Sequence, residues 1–201
     1  MNIDQLTYAD EAAAVASLTA AFPDYPMFAA LAPDAARRPR VIESFCRFIF
    51  RLSLQCNGVF GTPDRAAIMC TWLPGQEWPG MWSKLRAGGL GLLLRLGSGG
   101  RGLLSQLERD LDIARVNYVS GPHWYVPLLG VRPELQGKGL CRSLFTPMFA
   151  AADKHKVPVY LETMTEVNAT IYQKIGFELA GKSDVAGGLP CWFLVRRPKA
   201  T

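Results

Sequence analysis

The residues with the clearest chemical meaning are Gln136-Gly137-Lys138-Gly139-Leu140-Cys141-Arg142. They stand between an apolar run, Trp124 to Val131, and an amphipathic run, Ser143 to Lys154. Glycines in such a turn let a ligand come close to the backbone. A helix beginning there leaves its first amides unpaired and turns its positive dipole end outward. Lys138 and Arg142 add charge, and no acid follows Glu134 within the turn. Together these features describe a phosphate-binding turn.

Spacing narrows the kind of phosphate. A P-loop needs a glycine five positions before Gly-Lys and a hydroxyl residue after it, whereas Gly130 stands too far upstream and Gly139 fills the hydroxyl place. A dinucleotide fingerprint needs a third glycine where Arg142 stands. The pyrophosphate of coenzyme A is the third reading. Val131-Arg132-Pro133 followed by Gln136-Gly137-Lys138-Gly139-Leu140-Cys141 resembles the acetyl-CoA site of the GNAT acetyltransferase superfamily, with Cys141 in its last small-residue place. Downstream, Asn168-Ala169-Thr170-Ile171-Tyr172-Gln173-Lys174-Ile175-Gly176-Phe177 is similar to the superfamily's Asn-x-x-x-Tyr-x-(Lys/Arg)-x-Gly-Phe segment. Further matches, in Ala20 to Pro26, Pro147, Val157-Pro158, Leu161-Glu162-Thr163, Cys191-Trp192 and Arg196 to Pro198, resemble puromycin N-acetyltransferase-like small-molecule acetyltransferases. The likeness fades between about residues 74 and 122.

The resemblance implies an acetyl-CoA-dependent N-acetyltransferase acting on a small-molecule amine, an antibiotic or toxic metabolite, by direct transfer in a ternary complex and without a metal. Acetylation of peptides, or a non-catalytic coenzyme A-binding module, are the alternatives. It implies cofactor contacts from Leu129, Gly130 and Val131 at the strand end, from Gln136, Gly137, Lys138, Gly139, Leu140, Cys141 and Arg142 in the turn, and from Asn168 and Tyr172. It also implies that the strand ending at Val131 and the strand Val157 to Thr163 splay apart. A backbone N–H at the splay can polarise a thioester carbonyl.

Transfer to an amine needs a base for the amine and an acid for the departing thiolate. Tyr172, which the resemblance places beside the sulfur, is the expected acid, since a phenol of pKa about 10 matches a thiolate in basicity. Glu162 is the expected base, direct or through water. It is the one acid in an apolar strand, where a carboxylate needs a partner or a raised pKa. A structural salt bridge is its other reading. Tyr25, Trp124 and Trp192 are expected to line an aromatic acceptor pocket, with core packing as the alternative. His123 is a further base candidate, and Asn168 can also cap a helix. The resemblance puts Cys141 in the pyrophosphate loop, away from the thioester, so it is not expected to act as a nucleophile.

These residues need a scaffold. Met1 to Tyr8 can hold a first strand. Ala9 to Phe22 and Arg40 to Gln55 carry helical stripes, and Asp24-Tyr25-Pro26 reads as a turn. Val59 to Thr62 and Ala66 to Leu73 read as a hairpin. Trp78, Met81, Trp82 and Leu85 suggest an amphipathic turn, Gly-bounded residues follow, and Arg101 to Tyr118 is a helix. Trp124 to Val131 is a strand, Gly137 to His155 a helix containing Pro147, Val157 to Thr163 a strand and Asn168 to Ile175 a helix. Phe177 to Lys182 and Cys191 to Arg196 close the chain. The expected fold is α/β: a GNAT-like mixed β-sheet of six or seven strands, splayed at strands 4 and 5 and flanked by helices. It is read as one domain, 1–201, with 74–122 a variable, substrate-side insert.

Composition bounds the rest. The chain has 201 residues, 49% hydrophobic and 19% charged, which are globular values. A net charge of +5 favours anionic ligands weakly, but the densest basic cluster, Arg37-Arg38-Pro39-Arg40, is too short to imply nucleic-acid binding. The five cysteines, Cys46, Cys56, Cys70, Cys141 and Cys191, form no ligand set and read as reduced thiols. Neither a leader nor a membrane-length apolar run is visible, so the expectation is a cytoplasmic monomer or homodimer with no nucleic-acid or membrane partner.

Overall fold

The computed structural model describes residues 2–76 and 79–199. Strand β1 is Asp4–Gln5. Thr7 then closes a capping box, accepting from the Ala9 amide while Asp10 accepts from the Thr7 amide. Helix α1 follows at Glu11–Ala20. The expected turn at Tyr25 is instead the start of a short helix, α2 (Pro26–Leu31), because a proline at the first helical position lacks only an N–H that would be unpaired anyway. Helix α3 is Arg38–Leu54, β2 Val59–Gly61 and β3 Ala67–Trp72. The stretch least legible in sequence folds as α4 (Met81–Arg86), α5 (Gly89–Arg95) and α6 (Ser98–Tyr118). Trp78, assigned to an amphipathic turn, lies outside the described residues.

Strand β4 is Trp124–Val131, as expected, and α7 is Leu140–His155, starting after both glycines rather than at the first. Pro147 sits within α7 on its exposed side. Strand β5 is Val159–Thr163. Helix α8 is Glu166–Ile175, two residues earlier than the expected Asn168 start, because Thr165 supplies the cap: its hydroxyl accepts from the Asn168 amide at 3.4 Å. Strands β6 (Glu178–Val185) and β7 (Leu189–Arg196) form the closing hairpin.

The described strands make one sheet in the order β1-β2-β3-β4-β5-β7-β6. Its β4/β5 pair is parallel and its other pairs antiparallel. One face packs Tyr125, Leu128, Tyr160 and Phe193 against α1, α2, α3 and α6. The other packs Val126, Leu161 and Leu194 against α7 and α8. The fold is therefore two helical layers around a mixed sheet.

The centre of the sheet is deliberately irregular. Against β3, Cys70 faces Leu128 but Trp72 faces Tyr125, so β4 carries one extra residue at Val126-Pro127. Pairing with β5 is confined to Trp124–Val159 and Tyr125–Tyr160 and stops at the same place. Pro127 has no N–H with which to continue the ladder. The bulge and the missing donor open a gap between β4 and β5 toward their C-terminal ends.

Candidate active site

The open edge of β4 can be assigned residue by residue. The Arg132 amide donates to the Ala66 carbonyl of β3 at 2.9 Å. In an antiparallel ladder the bonding direction alternates, so Gly130 and Leu128 also turn their backbone groups toward β3. Leu129 and Val131 turn theirs into the gap. Of the three strand-end residues expected to meet a cofactor, two turn their backbone groups into the gap. Gly130 has a different reason for its identity: a Cβ there would lie 3.0 Å from Leu18 Cδ2 and 3.1 Å from Ala21 Cβ. It lets α1 press against β4.

The glycine turn stands beyond the mouth of this gap. Gly137 and Gly139 have φ of +75° and +80°, a region that β-carbon-bearing residues avoid, and a Cβ on either would meet nothing within 4 Å. They serve backbone conformation and leave the loop face bare. Gly139 caps α7 without a side-chain partner, which leaves the Leu140, Cys141 and Arg142 amides as the unpaired first-turn donors. Gln136 closes the loop by donating to the Val131 carbonyl at 3.1 Å. Lys138 is exposed. Arg142 donates to the Lys174 carbonyl at 3.0 Å and so ties the turn to the end of α8. Cys141 is half-buried, and burial pushes its thiol up to about 12, a protonated and unreactive state.

From the gap a cavity of about 220 Å3 runs inward, lined by Leu129, Glu162, Asn168 and Tyr172 from β4, β5 and α8, and roofed by α2, α3 and α6. Glu162 is half-buried, and the exposure it keeps opens onto this cavity. Burial raises its carboxyl to about 7, while the hydrogen bond from Tyr125 and the charge of Arg115 pull it back down. The Tyr125 hydroxyl donates to Glu162 Oε1 in a short bond, and Oε2 is buried with no partner. Tyr160 lies beside the same carboxylate, its ring 5.8 Å from that of Tyr125, and its buried hydroxyl also helps to pull the Glu162 carboxyl down. Arg115 of α6 stands 5.7 Å from the Tyr125 ring and pairs with Asp112 at 3.0 Å.

Tyr172 projects from α8 into the cavity with its ring edge-on to Phe145 and Phe177, at 6.0 and 5.9 Å. Burial holds its phenol well above the ordinary range, so it stays protonated and is a weaker acid than the free phenol of pKa about 10 expected to match a thiolate. Asn168 lines the same cavity and, with Thr165 as cap, its side chain is not used in capping.

The three expected acceptor aromatics separate. Tyr25 lines the cavity, but its hydroxyl is taken up by the end of β5, accepting from the Met164 amide at 2.8 Å and meeting Thr163 Oγ1 at 3.3 Å. Trp124 and Trp192 are not among the lining residues. They pack on the α7/α8 side of the sheet, Trp192 beneath Lys182 at 4.4 Å. Alternation along β4 and β7 puts Tyr125 and Phe193 on the cavity side in their stead. His123 lines a neighbouring cavity of about 810 Å3, beyond the Trp72–Tyr125 ring pair, with Nδ1 donating to the Gly121 carbonyl at 2.8 Å.

Tyr125 and Arg115 were not anticipated. Arg115 carried a legible signal: it falls four residues after Leu111, in the leucine stripe of its helix, where a charge has to find a partner.

No family model matches the chain. An uncharacterized N-acetyltransferase of Schizosaccharomyces pombe is 31% identical over 122 residues, 57% of this chain and 48% of that protein, so the chain spans about half the length of that curated relative. Among solved structures, Drosophila melanogaster polyamine N-acetyltransferase has a TM-score of 0.64 at 15% identity, covering 98% of this chain and 99% of its own. An agmatine N-acetyltransferase variant in its apo form has a TM-score of 0.65 at 16% identity, with 98% of both chains covered. A histone acetyltransferase HPA2-related acetyltransferase of Corynebacterium glutamicum has a TM-score of 0.62 at 16% identity, covering 100% and 97%. The mixed seven-stranded sheet with its parallel β4/β5 pair and flanking helices is the GNAT N-acetyltransferase fold.

Proposed function

We propose that this protein is an acetyl-CoA-dependent N-acetyltransferase acting on a small-molecule amine by direct transfer. One observation carries the reading: an unpaired gap between β4 and β5, with a bare glycine turn beyond it, leads into a cavity holding both Glu162 and Tyr172. The residues present fit the donor. The first-turn amides of α7 and the open faces of Gly137 and Gly139 suit a pyrophosphate, and the gap-facing backbone of Leu129 and Val131 suits an amide-bearing arm. Bound acetyl-CoA supplies an activated acetyl thioester.

The chain's own groups then divide the work. Glu162, with its raised pKa, accepts a proton from the ammonium form of the acceptor and leaves a nucleophilic amine. The Leu129 N–H donates toward the thioester carbonyl as charge builds on its oxygen. The amine nitrogen bonds to the acyl carbon, the carbon–sulfur bond breaks, and Tyr172 gives its proton to the departing sulfur. The nitrogen gives up its surplus proton and Glu162 its own to solvent, and Tyr172 regains a proton from solvent, as the neutral amide and the free thiol leave.

The roof of α2, α3 and α6 favours a small acceptor over a peptide, which needs an open groove. The α6 contribution makes residues 74–122 the acceptor-side element of this reading. Phe28, Phe45 and Phe48 among the lining suit an acceptor with an apolar or aromatic part, in keeping with the puromycin N-acetyltransferase-like pattern of the sequence. The test is an acceptor screen with acetyl-CoA, read by thiol release, on aromatic amines, polyamines, agmatine and short peptides. Turnover on a small amine supports the reading, turnover on peptides alone overturns the small-acceptor part, and release from none overturns the catalytic assignment.

A further inference from the structure

The α4–α5 hairpin presents a face that the catalytic reading does not use. Leu92 of α5 is buried against the core, with Ala87 in the turn before it and Leu96 just after the helix. At about 100° per residue, Leu90 and Leu94 lie on the opposite side of α5 from Leu92. The exposures follow: Leu90 is 58% and Leu94 70% accessible, and Met81 and Trp82 of α4 are 73% and 77%. The hairpin thus buries one edge through α5 and the residues flanking it, and both helices hold large apolar side chains outward. The hairpin is closed tightly. Gly88 has a φ of +96°, and a Cβ on Gly89 would lie 2.8 Å from the Lys84 carbonyl.

Charge is as one-sided as hydrophobicity. Residues 79–107 contain Lys84, Arg86, Arg95 and Arg101 and no aspartate or glutamate. Arg37, from the densest basic cluster of the chain, reaches across to donate to the Arg95 carbonyl at 3.2 Å. That contact places another cation at the C-terminal end of α5, where the helix dipole favours it. Lys84 pairs with the exposed Glu108 at 3.5 Å. Arg37, Arg86 and Arg95 are exposed.

An apolar face carrying Trp, Met and Leu, with Arg37, Arg86 and Arg95 exposed beside it and Glu108 at its edge paired to Lys84, suits the interface of an anionic bilayer. The side chains enter the headgroup boundary while the guanidinium groups meet lipid phosphates and carboxylates. We propose that the α4–α5 hairpin docks this protein reversibly on anionic membrane surfaces. The expectation of no membrane partner rested on spanning segments. Among the described residues no helix is long and apolar enough to cross a membrane, and a hairpin lying in the interface needs none. Pro79 borders both cavities, and Lys84 lines the inner one, so a docked hairpin brings their mouths near the bilayer. The proposal stands on this surface alone and does not depend on the acetyl transfer reading.

The test is co-sedimentation of the full chain with vesicles of phosphatidylcholine, with and without about one third phosphatidylserine, at low and high salt. The expected result is binding to the phosphatidylserine vesicles only, weakening as salt rises. Leu90→Ser/Leu94→Ser should lower that partitioning about tenfold or more, since each loses an apolar side chain that enters the boundary. Arg95→Glu should lower it as well. Both changes are at exposed positions, and unchanged circular dichroism and melting temperature would show that the variants fold. Equal sedimentation with both vesicle types, or none with either, overturns the proposal. So does a concentration-dependent dimer that the leucine variant dissolves while vesicle binding is unaltered, because the face would then belong to a second copy.

Discussion

Tyr125 on β4 and Glu162 on β5 are joined by a hydrogen bond at the point where their strands part. The two strands pair at Trp124–Val159 and Tyr125–Tyr160 and no further, so the phenol is held by regular sheet and the carboxylate stands where the sheet opens. The bond and the charge of Arg115 act against burial, leaving the carboxyl at about 7. In the proposed reaction, a base poised there would be ionised in a useful fraction near neutrality and still basic enough to take a proton.

This predicts the pH dependence. Glu162 is protonated below its pKa and active above it, so kcat/KM should rise as pH passes through about 7. Glu162→Gln should abolish that rising limb together with most of the rate. A rising limb that survives in the variant would assign it to another group.

Tyr125→Phe should move the same limb. The Tyr125 bond lowers the Glu162 pKa, and without it the carboxyl titrates at higher pH. The variant should match the parent at alkaline pH and fall below it near neutrality. A uniform loss at all pH values would mean that Tyr125 only shapes the cavity.

Tyr172→Phe should lower kcat about 100-fold or more while leaving the KM for acetyl-CoA nearly unchanged, the pattern of a lost proton donor. The ring still fills the space beside Phe145 and Phe177, so the fold is spared. Steady-state kinetics with the screened acceptor decides it, and unaltered kcat would remove Tyr172 from the chemistry.

Gly130→Ala should destabilise the protein by about 1–3 kcal/mol, because the new methyl group overpacks the α1–β4 contact at Leu18 and Ala21. Denaturant unfolding would measure it. A neutral result would mean that α1 moves away without cost.

Acid stability should depend on Asp153. Two bonds of 2.7 Å from Arg196 and the Lys199 amide hold its carboxyl down at about 2. A carboxylate depressed on folding contributes stability above its unfolded pKa of about 4 and loses it as pH falls toward 2. Asp153→Asn should therefore lower the melting temperature at neutral pH and lose that difference at the lowest pH. A gap independent of pH would show that packing around Arg196 carries the effect.

Local chemistry alone determined much of this protein. The order Trp124 to Val131, two glycines, then helix marked a strand, a left-handed glycine turn and a helix start with unpaired amides, because backbone conformation and unpaired amides depend on neighbours in the chain. Apolar periodicity located α1, α3 and α6, and the isolated acid of β5 marked Glu162. Tertiary structure decided what those residues face. One extra residue in β4 resets the alternation, so that Tyr125 and Leu128, three apart, share a face and Trp124 turns away from the cavity. Thr165 rather than Asn168 caps α8, which leaves the Asn168 side chain to the cavity. Arg115 meets Tyr125 only because α6 folds across the sheet. Periodicity states which side of an element is apolar, while strand pairing and helix packing, set by contacts far apart in the chain, select which groups meet in the cavity.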